Sequence, residues 1–221
     1  MTKKIKFGFC LPIFSSIGDT HVRTPSLEKI DYDLIKKATL RCEDLGYDSV
    51  WVADHLILGK DGAILECWTT LSSLAGITDK MRLGTIHLCN LFRHPSLVAK
   101  MAATLDLISN GRLEFFIDAG WNAIEATSYG LSWHENPSVR VEKLREAIEI
   151  IKRMWTEEKP SYEGKYYQIK DAICEPKPVQ KPHPPIWIGT FGGEGGADIP
   201  LLDDIITVSY THLRAHETSL H

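Results

Sequence analysis

Four short stretches of this chain hold the residues able to do chemistry. Asp54 and His55 follow the apolar run 49–53, and Leu88, Cys89 and Asn90 close a run that begins at Arg82. Phe92, Arg93, His94 and Pro95 come close behind. Asp118, Ala119, Gly120, Trp121 and Asn122 follow the run 113–117, and Pro12, Ile13 and Phe14 follow a first run that ends at Leu11. An acid beside an imidazole can orient a proton or a bound ring. The remaining residues are amides, small residues and aromatics. No Ser-His-Asp order, nucleophile elbow or glycosidase-like carboxylate pair accompanies them. Such a lining suits a flat conjugated ring better than a hydrolytic nucleophile.

Each candidate also has a plainer reading. An Asp-His pair can be structural or lie on the surface. His87 lies inside an apolar run and reads as a packed core residue. His94 precedes Pro95 and reads as a helix cap. Trp121 either fills the core or lines a pocket. Arg93 suits a surface or inter-subunit ion pair, and Glu125 a cap on backbone amides. For His55 the pocket is preferred, because its position repeats the pattern seen at the other strand ends.

The elements that would position these residues alternate. Strands are expected near 5–11, 48–53, 82–88, 112–118 and 186–189. Helical periodicity places Leu34, Ile35, Ala38, Cys42 and Leu45 on one face, between an N-cap at Asp31 and a C′ residue at Gly46. A second stripe runs Leu65, Trp68, Leu71, Ala75. A third runs Leu97, Val98, Met101, Leu105, Ile108, opened by Pro95 and ended by Asn110-Gly111. A fourth runs Val141, Leu144, Ile148, Ile151, Trp155. Strands alternating with helices imply a parallel sheet with crossover helices. Uniformly apolar strands fit a sheet covered on both faces. A (β/α)8 TIM barrel competes with an open doubly wound sheet. The absence of Gly-x-Gly-x-x-Gly after the first strand favours the barrel. In a barrel all four candidate stretches meet at one mouth. Residues 160–185, with five prolines between 176 and 185, read as an insertion lying over the barrel.

Composition narrows the partners. The 221 residues are 43% hydrophobic and 24% charged, which suits one sizeable soluble core. A net charge of −4 offers no basic footprint for nucleic acid. No run approaches membrane-spanning length, and residues 1–9 read as a first strand rather than a signal peptide. The five cysteines are dispersed, with no Cys-x-x-Cys, as expected of free thiols in a reducing cytoplasm. The pattern decays after Gly189. His212 and His216 are four apart, as in a helical metal pair, but no third ligand accompanies them, so no metal is expected. Residues 208–218 resemble translated adapter read-through. Residues 191–221 are therefore expected to be an aberrant, disordered tail, and 1–190 a partial barrel truncated after about its fifth strand.

Taken together, the motifs resemble the luciferase-like monooxygenase superfamily of flavin- and F420-dependent oxidoreductases. The resemblance rests on residues 6–12, 49–55 and 82–85, on Arg93-His94-Pro95-Ser96-Leu97-Val98-Ala99-Lys100, and on Asp106 through Leu113. It continues through Ala119-Gly120-Trp121 with Glu125, Tyr129-Gly130, and residues 174–189. It covers about residues 5 to 190 and is nearest the F420-dependent branch. It implies a TIM barrel, usually a homodimer, with FMN or coenzyme F420 across the mouth and a small-molecule substrate. It implies catalytic roles for His55 and Asp54 beside the ring. It implies that Cys89 and Asn90 belong to a bulge behind the ring, often with a non-proline cis peptide. Gly120, Trp121 and Asn122 would line the ring's polar edge, and Gly189 would open a region that shares in phosphate contacts. An FMN-dependent member would also need a separate flavin reductase. The chain departs from the family at Asp118, where glycine is usual, and after Gly189, where strands six to eight are not recognisable. The leading expectation is an oxidoreductase or monooxygenase. The alternatives are a non-catalytic flavin-binding subunit and a metal-dependent TIM-barrel hydrolase.

Overall fold

The computed structural model describes residues 5–15 and 25–189. The expected tail, residues 191–221 with His212 and His216, lies outside these residues. The elements run β1 (Gly8–Cys10), α1 (Tyr32–Asp44), β2 (Ser49–Ala53), α2 (Cys67–Ala75), β3 (Arg82–Ile86), β4 (Leu88–Cys89) and α3 (Pro95–Ile108). They continue with β5 (Leu113–Asp118), α4 (Ala123–Ser128), α5 (Pro137–Thr156), β6 (Tyr162–Glu163), β7 (Gln168–Ile169) and β8 (Ile186–Ile188). One sheet has the order β1-β2-β3-β5-β4, with β8 also paired to β5. Every pairing in it is parallel, including Val50 on Leu83 in β2–β3 and Phe115 on Ile186 in β5–β8. This is the expected α/β sheet with crossover helices.

The outer face of the sheet makes the core. Val50, Val52, Leu83, Phe115 and Ile117 are buried in one cluster with Leu71, Val98, Leu105, Leu144, Ile148 and Ile151 from the helices. Strand residues two apart share a face, so these odd and even sets separate cleanly. Trp155 of α5 meets Phe115 edge-on at 5.3 Å and donates its indole N–H to Ala99 O of α3 at 2.9 Å. Burying an aromatic of this size removes roughly 150–250 Å² from water, a large single contribution. The inner face carries Trp51, Phe116 and Trp187 around a cavity of about 410 Å³. Gly84 makes room for Trp51, since a Cβ there would sit 2.1 Å from the indole.

Helix boundaries follow the capping residues. Asp31 accepts from Leu34 N, and Gly46 follows the helix at φ +79°. The buried faces are narrower than the periodicity implies. Leu34 and Leu45 are 46% and 59% exposed, while Thr39 takes an inner position and bonds Ile35 O. Leu97 and Ile108 of α3 are exposed as well. Pro12, Ile13 and Phe14, expected at a mouth, are buried in the core instead; Phe14 bridges Ile64. Residues 162–169 form an antiparallel hairpin, β6–β7, that pairs with no strand of the main sheet.

Candidate functional site

The run 82–88 is not one strand. β3 pairs with β5 at Leu83–Leu113 and Gly84–Glu114, and β4 resumes at Leu88–Ile117. In between, Thr85 Oγ1 donates to Phe116 O and accepts from Phe116 N. His87 then turns into the left-handed region at φ +54°. Such bulges re-aim side chains at the rims of sheets. The His87 ring is turned to the mouth, against the Phe116 ring at 5.1 Å, with Nδ1 3.0 Å from Asp118 Oδ2. This corrects the core reading of His87. The cis peptides among the described residues are both X-Pro, at 175–176 and 181–182. The non-proline cis bond expected at 88–90 is therefore absent, and the turn is made at His87.

His55, at the carboxyl end of β2, is held by Glu125 across the mouth. Nδ1 lies 2.8 Å from Glu125 Oε1. Leu56 N donates to Oε2 at 2.9 Å, and Asn122 Nδ2 to Oε1 at 2.7 Å. Glu125 is fully buried. In the neutral imidazole, an acceptor-only carboxylate at Nδ1 selects the Nδ1–H tautomer, which leaves the lone pair on Nε2. Nε2 has no protein partner among the described residues. The Trp121 indole stands edge-on to this imidazole at 5.3 Å and is 47% exposed. Asn122 caps α4 through Ile124 N, which fixes Glu125 one turn into the helix.

Asp54 points the other way. It is 1% exposed and accepts a fork from Arg93, at 2.8 and 2.9 Å, plus Cys89 N at 3.0 Å. Arg93 also reaches Glu66 at 2.8 Å. Burial pushes the Asp54 carboxyl above its ordinary value, and the Arg93 fork opposes that shift. These contacts brace β2 against β4. Arg93, expected in a surface or inter-subunit pair, is thus an internal tie.

Asp54, His55, His87, Cys89, Phe92, Asp118, Gly120, Trp121, Asn122 and Glu125 surround one narrow pocket. Asn90 is buried beside it, but its amide turns to Tyr167 Oη at 3.3 Å. Gly120 N donates to Asp118 Oδ1, and a Cβ on Gly120 would meet Cys89 Sγ at 2.8 Å. Asp118 therefore sits beneath the mouth, tied to His87 and Gly120. Burial pushes the Cys89 thiol far above its ordinary range. Gly189 follows β8, its N–H on Ile117 O, and a Cβ there would lie 3.1 Å from Asp118 Cβ. His94 caps α3 through Ser96 N, as its place before Pro95 suggests. Sequence reasoning missed Tyr167 as a wall residue and α4 as the carrier of Glu125. The helix start at Asn122, with a carboxylate three residues on, was the available signal for α4. Among the described residues no three His, Cys, Asp or Glu side chains are grouped to hold a metal ion. None of the described helices is long and apolar enough to cross a membrane.

Comparison with known proteins places this arrangement. The F420-dependent glucose-6-phosphate dehydrogenase of Microbacterium testaceum is 37% identical over 153 residues, covering 68% of this chain and 44% of that protein. The enzyme of the same name from Amycolatopsis mediterranei is 32% identical over 163 residues, covering 72% and 48%. The crystal structure of a monooxygenase from Streptomyces bottropensis superposes with a TM-score of 0.69 at 25% identity, covering 84% of this chain and 54% of that one. The chain thus spans about half the length of the proteins it matches. The architecture is that of the TIM-barrel enzymes of this group. With the luciferase-like monooxygenase family model matching residues 5–199, the chain belongs to that family.

Proposed function

We propose that this chain serves an F420-dependent oxidoreductase that moves a hydride between the deazaflavin ring and a small hydroxyl-bearing substrate. The observation that carries the reading is the His55–Glu125 dyad, with Nε2 unpartnered among the described residues and the Trp121 indole beside it. The F420-dependent relatives support the choice of deazaflavin. The pocket itself, about 10 Å³, is too small to enclose such a ring, so its lining residues would border one lying across the mouth. Trp121 offers an exposed aromatic surface, and Gly120 keeps the wall low beside Cys89.

The ring, when bound, supplies a two-electron hydride acceptor. His55 Nε2 would take the proton of the substrate hydroxyl in such a reaction. Glu125 holds the imidazolium that results and keeps the imidazole in one tautomer. Trp121 shields the reacting side from water. Asp54 reads as a positioning residue, because Arg93 and Cys89 N occupy its oxygens.

Fluorescence titration with F420 and with FMN, followed by glucose 6-phosphate as first substrate, tests the reading. Saturable F420 binding and F420 reduction are expected. FMN binding without F420 binding would move the assignment to the monooxygenase side of the family, with a flavin reductase as electron source. Binding of neither would overturn it.

A further inference from the structure

Tyr167 lies in the insertion hairpin, 77 residues from Asn90, yet the two side chains meet. The hairpin turn is fixed first. Glu146 of α5 accepts the backbone N–H groups of Lys165, Tyr166 and Tyr167 at 2.8, 2.9 and 3.0 Å. The Tyr167 ring then stands edge-on to His94 at 5.4 Å, with Lys143 Nζ 5.5 Å from its centre. Its hydroxyl accepts from Asn90 Nδ2 at 3.3 Å. Burial pushes this phenol up to about 12, so it stays neutral over the working range of pH. Asn90 is 3% exposed, and its own N–H donates to Asp118 O at 3.1 Å. One residue earlier, Cys89 N–H donates to Asp54. A short chain of contacts therefore runs from α5, through the hairpin, to the wall of the mouth. A buried amide that loses its partner retains its desolvation cost, so the hydroxyl is not interchangeable with hydrogen at this position.

We propose that the β6–β7 hairpin clamps the mouth through Tyr167, a positioning residue whose hydroxyl fixes Asn90 and with it the wall at Cys89. That the clamped wall serves a ring rests on the functional reading above; the clamp itself does not. The insertion then tunes the site without touching what binds there.

Hydrogen exchange by NMR on the full chain tests this. The probes are the Cys89, Asn90 and Phe92 amides, bonded to Asp54, Asp118 O and Cys89 O. Tyr167→Phe is expected to speed exchange at Cys89 and Asn90 by about three- to tenfold, with Val50 and Phe115 unchanged. Asn90→Ala is expected to match it, and the double variant to be no faster than either single one. Tyr167→Phe should also weaken F420 binding by about three- to tenfold. Exchange in Tyr167→Phe equal to the unaltered chain, with Tyr167→Ala fast, would overturn the proposal, since ring packing alone would then hold the wall. Uniform acceleration across the core, or additive single effects, would also overturn it. If the unaltered chain binds no F420, the ring reading fails, while the exchange pattern still decides the clamp.

Discussion

The two ends of the sheet's inner face use similar side chains to opposite ends. At the amino-terminal end, Arg82 pairs with Glu114, donates to Leu113 O at 3.1 Å and reaches Gln180 Oε1 at 3.0 Å. Trp187 closes the set by donating to Glu114 Oε2 at 2.7 Å. Gln180 in turn binds Asp106 at 2.7 Å. Arg82, Glu114 and Asp106 are each tied to another fixed group. At the carboxyl end, Glu125 holds one imidazole nitrogen of His55 and leaves the other toward the pocket. The same chemistry therefore locks structure at one end and leaves an imidazole nitrogen without a protein partner among the described residues at the other. Parallel α/β folds place ligands at the carboxyl ends of strands, the end at which His55 lies.

The largest effect expected from breaking the comparison is on stability. Arg93 braces the mouth from a dry position, with Asp54 almost fully buried. Arg93→Ala should cost about 3–5 kcal/mol in urea unfolding, because it leaves that carboxylate unpaired. Arg82 at the opposite end is a quarter exposed, and water can replace part of its partnership. Arg82→Ala should therefore cost about 1–3 kcal/mol. Equal losses would mean that burial does not separate the two ends.

A smaller effect sharpens the contrast through pH. Glu43 at the end of α1 accepts the N–H groups of Asp79, Lys80 and Met81. Partial burial pushes its carboxyl up, but these bonds and Arg112 bring it below its ordinary 4.5. A depressed carboxyl stabilises the fold above the unfolded value and loses that contribution as pH falls through the folded one. The melting temperature of Glu43→Gln should thus lie below that of the parent at neutral pH. The gap should close as pH drops below about 4.5. A gap that persists in acid would assign the effect to packing.

Much of the fold was legible because it rests on local pattern. The capping residues Asp31 and His94, the Asn110-Gly111 stop and the five apolar runs all act through near neighbours. The break at His87 was not legible, since Thr85 replaces a ladder bond only once β5 lies beside it. The exposed faces of Leu34 and Leu45 were misjudged for a related reason: periodicity gives a direction but not the width of the surface that covers it. At the site, the strand-end position of His55 was readable, while the opposite fates of Asp54 and His55 were not. Their partners, Arg93 and Glu125, are 39 and 70 residues away. Asn90 was readable as a candidate but its partner was not, because only the folded chain brings Tyr167 to it.

The most direct measurement compares His55→Ala with the unaltered chain, reading F420 affinity and the turnover of F420 with glucose 6-phosphate together. An imidazole that only moves the substrate proton predicts turnover lower by about 10²–10⁴-fold, with F420 affinity changed by less than about threefold. Turnover kept within that same margin, or turnover and affinity lost in equal proportion, would contradict a proton-moving role for His55.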